Sequence, residues 1–392
     1  MAGIQKTFIP YGSQTISDSD IQAVVDALRS PFLTQGPMVP AFEQAVAKKL
    51  NVSYSVATNS ATSALHIACL ALDLGPGDWL WTTPITFVAS ANCGLYCGAF
   101  VDFVDINPLT GLMDVDALRL KLQQADQQGR LPKVLVPVHL TGASCDMEAI
   151  ASLAHKYGFS ILEDASHAIG GRYRDKPVGC CEYSSISVFS FHPVKIITTG
   201  EGGLATTNDP LMAQRMADLR SHGITKDKNR FEYSAPGPWS YEQQELGFNY
   251  RMTDLQAALG LSQLQCLEEF VAERNRLFAQ YLALLDDLPL RFLKVPIQVS
   301  SALHLAVIRL NDSHPANHLH VFQGLRAAGI GVQVHYTPVH LQPYYRQLGF
   351  SEGQFFEAEN YSKNAISLPL YPGLSVADQQ YIADMLTMLL RS

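Results

Sequence analysis

Between Ser187 and Gly203 the chain carries one Lys or Arg, Lys195, in a run of apolar and hydroxyl-bearing residues. An ammonium flanked in this way is partly desolvated, which disfavours its charged form and leaves a nucleophilic amine able to form a Schiff base. The plainer alternative is a lysine snorkelling from a strand end with its stem on the core. Glu163-Asp164 closes the apolar run Phe159–Leu162, placing Asp164 at the carboxyl end of a strand, where open α/β sheets hold ligands. A carboxylate there can pair with a pyridinium nitrogen, or can simply cap a helix. Thr58 to Leu65 runs from a strand end into a helix of small, hydroxyl-rich residues. Its free N–H groups and hydroxyls make an anion site, although every helix start needs a cap. Phe87, in the Thr83–Val88 loop, offers an aromatic face to a flat ring or fills a core.

An amine, a carboxylate for a ring nitrogen and an anion cradle are the groups that pyridoxal phosphate requires, because only its protonated ring is an effective electron sink. A metal is expected to be absent. His318-x-His320 and the His335–His340 spacing have no cysteine or carboxylate at a matching distance. Seven cysteines show no C-x-x-C spacing, so inert thiols in a reducing compartment are expected.

These groups need elements to carry them. At about 150 residues per domain, 392 residues predict two or three domains. Apolar runs predict strands at Tyr54–Thr58, Leu80–Thr82, Phe100–Val104, Val134–Val138, Phe159–Leu162 and Ser187–Phe191. Helical spacing alternates with them at Ala61–Leu72, Val115–Gln124 and Met147–Tyr157, the pattern of crossover units on a mostly parallel sheet. Ser17 and Asp20 form a capping-box pattern for a helix through Leu28. Leu255–Leu285 reads as one long amphipathic helix bridging to a smaller α/β unit, with strands at Leu303–Leu310 and Val332–His335 and helices at His318–Ala328 and Val376–Leu390. The expected division is residues 1–254, a large cofactor-binding domain, and 255–392, the bridging helix and small C-terminal domain.

The net charge of −8 provides no field for nucleic acid or anionic lipid. Trp79–Val101 lacks Asp, Glu, Lys and Arg, but Thr82, Thr83, Pro84, Thr86, Ser90 and Asn92 interrupt it, so a membrane span is not expected. Met1–Gly12 has no basic cluster followed by an apolar run, so a cytoplasmic location is expected. The charged fraction of 16%, against roughly 25% in ordinary soluble chains, leaves room for a subunit interface.

Across nearly the whole chain the sequence resembles the DegT/DnrJ/EryC1/StrS sugar aminotransferases, pyridoxal-phosphate enzymes of fold type I. The resemblance is carried by Glu163 to Ala168, by Ser190 to Gly203 around Lys195, and by Gly247 to Thr253. It implies that Lys195 is the covalent anchor, that Asp164 holds the pyridine nitrogen and that Phe87 stacks on the ring. Ala61, Thr62 and Ser190 would hold the phosphate, Asn249 would reach the phosphate region of a neighbouring subunit's site, and His167 would lie near the ring oxygen. Substrate contacts would come from Tyr11, from Phe32, Leu33 and Thr34 in the Pro31–Thr34 loop, and from His335 with Tyr336. Ser60-Ala61 stands where many relatives have Gly.

The stretches Asn59 to Leu65, Arg220 to Gly223 and Val334 to Tyr336 favour the branch of pseudaminic acid synthesis. That implies L-glutamate as donor, amination at C4 of a UDP-linked 4-keto-6-deoxy-N-acetyl sugar, and a homodimer with shared active sites. Lys226, Lys228, Arg230 and Arg251 are candidate cations for a diphosphate. A dTDP- or GDP-linked keto sugar is the alternative within the family. A sugar-dehydrating branch carries His where Lys195 stands, and Lys195 speaks against it. Two other classes fit the sequence less well. A nicotinamide oxidoreductase lacks its G-x-G-x-x-G after an early strand, and a non-catalytic binding protein on the same fold leaves Lys195 with Asp164 unexplained.

Overall fold

The computed structural model describes residues 8–311 and 318–391. Its central sheet contains β1 (Tyr54–Thr58), β2 (Trp79–Thr82), β3 (Phe100–Phe103), β4 (Val134–Leu135), β5 (Ser160–Asp164), β6 (Ile186–Ser190) and β7 (Gly203–Thr207). Their spatial order is β1-β7-β6-β5-β4-β2-β3. The strand β7 runs antiparallel to both neighbours, and the remaining pairs are parallel. Parallel strands are covered on both faces, so they read as continuous apolar runs. On β6, Ile186 and Val188 join one core while Phe189 joins another, and a buried Phe contributes about 1.5–3 kcal/mol.

Helices α1 (Asp18–Arg29), α2 (Met38–Leu50), α3 (Ala61–Ala71) and α4 (Ala89–Tyr96) precede or connect these strands. The capping box at Ser17 forms as expected, Ser17 accepting from the Asp20 N–H while the Asp20 carboxylate accepts from the Ser17 N–H. The uncharged run Trp79–Val101 folds as β2, a loop and α4. Among the described residues no helix is long and apolar enough to cross a membrane.

Four expectations need correction. The long helix is two, α5 (Asp254–Gln265) and α6 (Leu267–Leu284). At Cys266 the backbone tightens, its N–H bonding back to Gln263, because the two halves serve different cores. Leu264 and Leu267 pack with Phe42 and Phe191, whereas Leu277 and Tyr281 pack with Ile308 and Leu386. Val332–His335 is not a strand; it makes one bridge, Gln333 to Ser367. The predicted strand at Leu303 starts at Ala306, since the His304 N–H turns away to Thr141 O at 2.8 Å. The strand from Val134 stops at Leu135, ahead of Pro137, which has no N–H to extend a ladder. The C-terminal core gathers Ile9 with residues from Leu277 to Leu390, around the antiparallel strands Leu290–Phe292, Ala306–Leu310 and Ala365–Leu368.

The strand β5 positions two carboxylates on opposite faces, because successive side chains alternate. Glu163 points away from the cavity described below. Its carboxylate pairs with His139 Nε2 at 2.6 Å, accepts from Ser187 at 2.8 Å and also accepts from Ser184. Burial raises the Glu163 pKa, but His139 outweighs it and holds the carboxyl below its ordinary value. Burial likewise lowers His139, while Cys145 and Glu163 carry it up to about 10. The pair therefore contributes stability that is lost on the acid side as pH falls below 4.5 and Glu163 protonates. On the alkaline side it is lost as pH rises from 6.5 through about 10 and His139 gives up its proton. Glu163→Gln is expected to destabilise by about 3–5 kcal/mol in urea unfolding at pH 6. An unchanged midpoint would show that the pair is dispensable.

Candidate active site

The carboxyl ends of β5 and β6, the N-terminus of α3 and the C-terminal unit enclose a cavity of about 850 Å³, within the range of small-molecule and cofactor sites. Tyr11, Ala61, Thr62, Phe87, Asp164, His167, Ser190, Lys195, His335 and Tyr336 all line it. Thus ten residues singled out from sequence meet in one space. Phe32, Leu33, Thr34 and Asn249 do not line this chain's own cavity. Phe32 and Leu33 are half exposed, Thr34 bridges to Thr253, and Asn249 bridges to Ser221.

Lys195 follows β6 in a turn whose N–H bonds back to His192 O at 2.9 Å. No hydrogen bond or ion pair reaches its Nζ among the described residues. Burial lowers its pKa from 10.5 to about 8, against the opposing charge of Asp164. Near neutrality about a tenth of the amine is then uncharged, far more than for an ordinary lysine, and it is this form that acts as a nucleophile.

Asp164 is buried, with both oxygens held. Ser90 Oγ donates to Oδ2 at 2.6 Å, and the Ser166 N–H donates to Oδ1 at 3.1 Å. Ser90, on α4, was not found from sequence; it lies 74 positions away, and nothing near it marks a partner for Asp164. Charge-assisted bonds of this kind fix a carboxylate's direction.

Ser60 caps α3, accepting from the Ser63 N–H at 3.1 Å. The N–H groups of Ala61 and Thr62 then have no acceptor within the helix. Gly203, at the start of β7, lies against this turn so closely that a Cβ would meet Ser60 and Ala61 backbone atoms at 2.4 Å. Ser190 ends β6 beside them. Phe87 lines the same space with its ring 58% exposed, an apolar face left open toward a ligand.

The remaining wall is a chain of rings. Tyr11 meets His335 at 5.3 Å, His335 meets Tyr336 at 4.9 Å, and Tyr336 meets His167 at 6.3 Å between centroids. Tyr336 and His167 Nε2 share a hydrogen bond of 3.2 Å, and His335 Nδ1 bonds Ser367 Oγ at 2.8 Å. Burial, then the nearby Lys195, lowers His335 to about 4 and His167 well below its ordinary value. This wall is uncharged at neutral pH.

Among the described residues no cluster of His, Cys, Asp or Glu is arranged to hold a metal. His340 pairs with Glu359 at 3.0 Å and His318 Nε2 lies 2.9 Å from Ala365 O, both structural uses. The four basic residues proposed for a diphosphate lie outside the cavity, and Arg230 is paired with Asp218.

An amine of lowered pKa, a fixed carboxylate, an open aromatic face and a helix N-terminus fit the donor set of pyridoxal phosphate, and the topology is that of fold type I. This is the class of pyridoxal-phosphate-dependent aminotransferases. The DegT/DnrJ/EryC1/StrS aminotransferase family model matches residues 14–387, and the chain belongs to that family. It is 37% identical over 389 residues to the spore coat polysaccharide biosynthesis protein SpsC of Bacillus subtilis, covering 95% of this chain and 94% of that one. It is 35% identical over 379 residues to a UDP-4-amino-4,6-dideoxy-N-acetyl-beta-L-altrosamine transaminase of Campylobacter jejuni, covering 96% of each. Among solved structures, Helicobacter pylori PseC, an aminotransferase in the biosynthesis of pseudoaminic acid, superposes with a TM-score of 0.90 at 31% identity, over 98% of this chain and 100% of that one.

Amine modification in the cofactor-free protein tests the central electrostatic feature. Lys195 should titrate near 8, where an ordinary lysine titrates near 10.5. In Asp164→Asn the midpoint should fall further, because a negative neighbour that raises it is gone. A midpoint near 10.5 would contradict the desolvated cavity.

Proposed function

We propose that this chain transfers an amino group from L-glutamate to C4 of a UDP-linked 4-keto-6-deoxy-N-acetyl sugar, the amination step of pseudaminic acid synthesis. The observation that carries the reading is the buried Lys195 amine, its pKa lowered to about 8, in one cavity with a doubly held Asp164. The named activity of the Campylobacter relative and the likeness to PseC support the sugar. The Bacillus relative's name concerns spore-coat polysaccharide and fixes no nucleotide.

Bound here, pyridoxal phosphate supplies an electron sink for negative charge at the donor's α carbon. The chain's own residues then divide the work. Ala61 and Thr62 N–H groups and the Ser190 hydroxyl bind the phosphate. Asp164 keeps a proton on the ring nitrogen, its own direction fixed by Ser90 and Ser166. Phe87 packs on one ring face, and His167 stands near the ring oxygen. Lys195 anchors the cofactor through Nζ and takes the donor's α-proton, a role suited to an amine whose pKa lies near the working pH. Tyr11, His335 and Tyr336 shape the substrate end.

The lining includes no Lys or Arg besides Lys195, yet the donor's two carboxylates and a sugar diphosphate need partners. Because Phe32, Leu33, Thr34 and Asn249 do not line this chain's own cavity, we assign them to the cavity of a second copy in a homodimer; being uncharged, they would shape that cavity and leave the anions to other groups. Free thiols at all seven cysteines fit a reducing, cytoplasmic compartment.

Borohydride reduction of the loaded enzyme should place a pyridoxyl label on Lys195, and a label on another lysine would refute the anchor. Separate enzyme, not treated with borohydride and loaded with pyridoxamine phosphate, is mixed with UDP-, dTDP- and free 4-keto sugars. The UDP-linked L-altro ketone should restore the original absorbance fastest, and the free sugar should lose rate as well as affinity, because remote binding energy positions the ketone. A faster dTDP-linked ketone would leave an aminotransferase of different substrate.

Co-expression tests the shared site. Lys195→Ala and Asn249→Ala are each expected to be inactive or nearly so. Random pairing makes half the dimers mixed, each with one intact site if Asn249 acts across the interface. Activity should therefore return to about one quarter of wild type. No recovery would place Asn249 in its own subunit's site.

A further inference from the structure

His304 enters the cavity from the C-terminal unit, and its backbone is pinned from two sides. Its N–H donates to Thr141 O at 2.8 Å, and its carbonyl accepts from Arg274 Nη1 at 3.2 Å. Arg274 also donates to Leu370 O at 2.8 Å and is itself 1% exposed. Leu303, immediately before, holds a φ of 49°. A non-glycine residue keeps that left-handed conformation only where its surroundings over-determine it.

The ring delivered by this arrangement is 4% exposed. Neither of its nitrogens has a hydrogen-bond partner among the described residues. Nδ1 is sealed from solvent, and the ring lies along the cavity lining. Unpaired buried polar atoms are rare enough in folded proteins that each calls for an explanation. Here the ring packs on His167, with centroids 4.5 Å apart and a tilt of 55°. His167 makes one side-chain hydrogen bond, through Nε2 to Tyr336, while its own Nδ1 is buried without a partner. One bond does not by itself fix the plane of an imidazole. The ring packed nearest to His167 is His304, at 4.5 Å against 6.3 Å for Tyr336.

We propose that His304 is a positioning residue: its ring, pinned through Thr141 and Arg274, holds His167 in the orientation that makes the Tyr336 hydrogen bond in the wall of the cofactor cavity. Burial leaves both imidazoles uncharged at neutral pH, so the two rings pack without repulsion. The arrangement also ties the cofactor's surroundings to the junction between the two cores, since Thr141 belongs to the large sheet's side and Leu370 to the C-terminal core.

The inference rests on the cavity being the pyridoxal phosphate site, so the experiment begins with the wild-type absorbance band on loading with that cofactor. Failure of this band would remove the site reading itself. With the band present, His304→Ala and His304→Phe are loaded and mixed with L-glutamate. His304→Ala should shift the band and slow the saturated rate on the order of 10- to 100-fold, the scale of a small misplacement, with little change in the KM for glutamate. His304→Phe keeps a ring to pack on His167 and should retain most of the rate and the wild-type band. Wild-type band and saturated rate in His304→Ala would overturn the proposal, as would a His304→Phe variant that is equally impaired. Should the alanine variant fail to fold, His304→Phe decides alone.

Discussion

The lowered pKa of one lysine amine is the constraint around which the rest of this site is arranged. An isolated ammonium in a low-dielectric cavity is costly, and Lys195 gives up its proton more readily, its pKa falling to about 8. The same environment acts on its neighbours: His167, His304 and His335 are all pushed down, and the Tyr336 hydroxyl is pushed up by burial and by Asp164. A wall of neutral rings surrounds Lys195, with Asp164 the buried carboxylate facing it. Besides Lys195, what this lining offers an anionic ligand is the N–H dipoles at the start of α3.

That economy depends on how β5 divides its two acids. Glu163 and Asp164 are adjacent in sequence, and the period of a strand sends them to opposite faces. One is consumed by His139, Ser184 and Ser187, while the other is aimed into the cavity by Ser90 and Ser166. A slip of one residue would exchange them. The register of β5 against β6, Asp164 opposite Val188, therefore fixes which carboxylate reaches the ligand. Gly203 performs a comparable service on the neighbouring strand, where the absence of a Cβ lets β7 approach the cap of α3.

Much of this was legible because it is local. Apolar runs marked most of the central strands, the Ser17 capping box formed, and the residues around Lys195 and Asp164 carried their chemistry in their types. What was missed is non-local or weakly patterned. The strand β7, Gly-Leu-Ala-Thr-Thr, has little strand signal of its own and is buried at every position because β1 and β6 flank it. The break at Cys266 has no Gly or Pro to announce it; it arises because two cores lie on different sides of one helical stripe. Ser90 and His304 act through contacts across long stretches of chain, which no spacing rule reports. Val332–His335 shows the converse error, an alternating pattern that reaches only one bridge, with the His335 carbonyl taken instead by the Tyr361 hydroxyl at 2.9 Å.

The residues that fall outside the cavity are not scattered. Thr34 bridges to Thr253, the Asp254 N–H bonds Leu33 O at 3.0 Å, and the Asp254 carboxylate accepts from the Gly36 N–H at 3.1 Å. The Phe32–Thr34 loop and the segment after Asn249 are thus bound into one patch, with Phe32 and Leu33 left half exposed. Two expectations that were separate in the sequence, a substrate loop at Phe32–Thr34 and a phosphate contact at Asn249, become one geometric requirement. Under the proposed dimer, the two would lie on neighbouring parts of one surface.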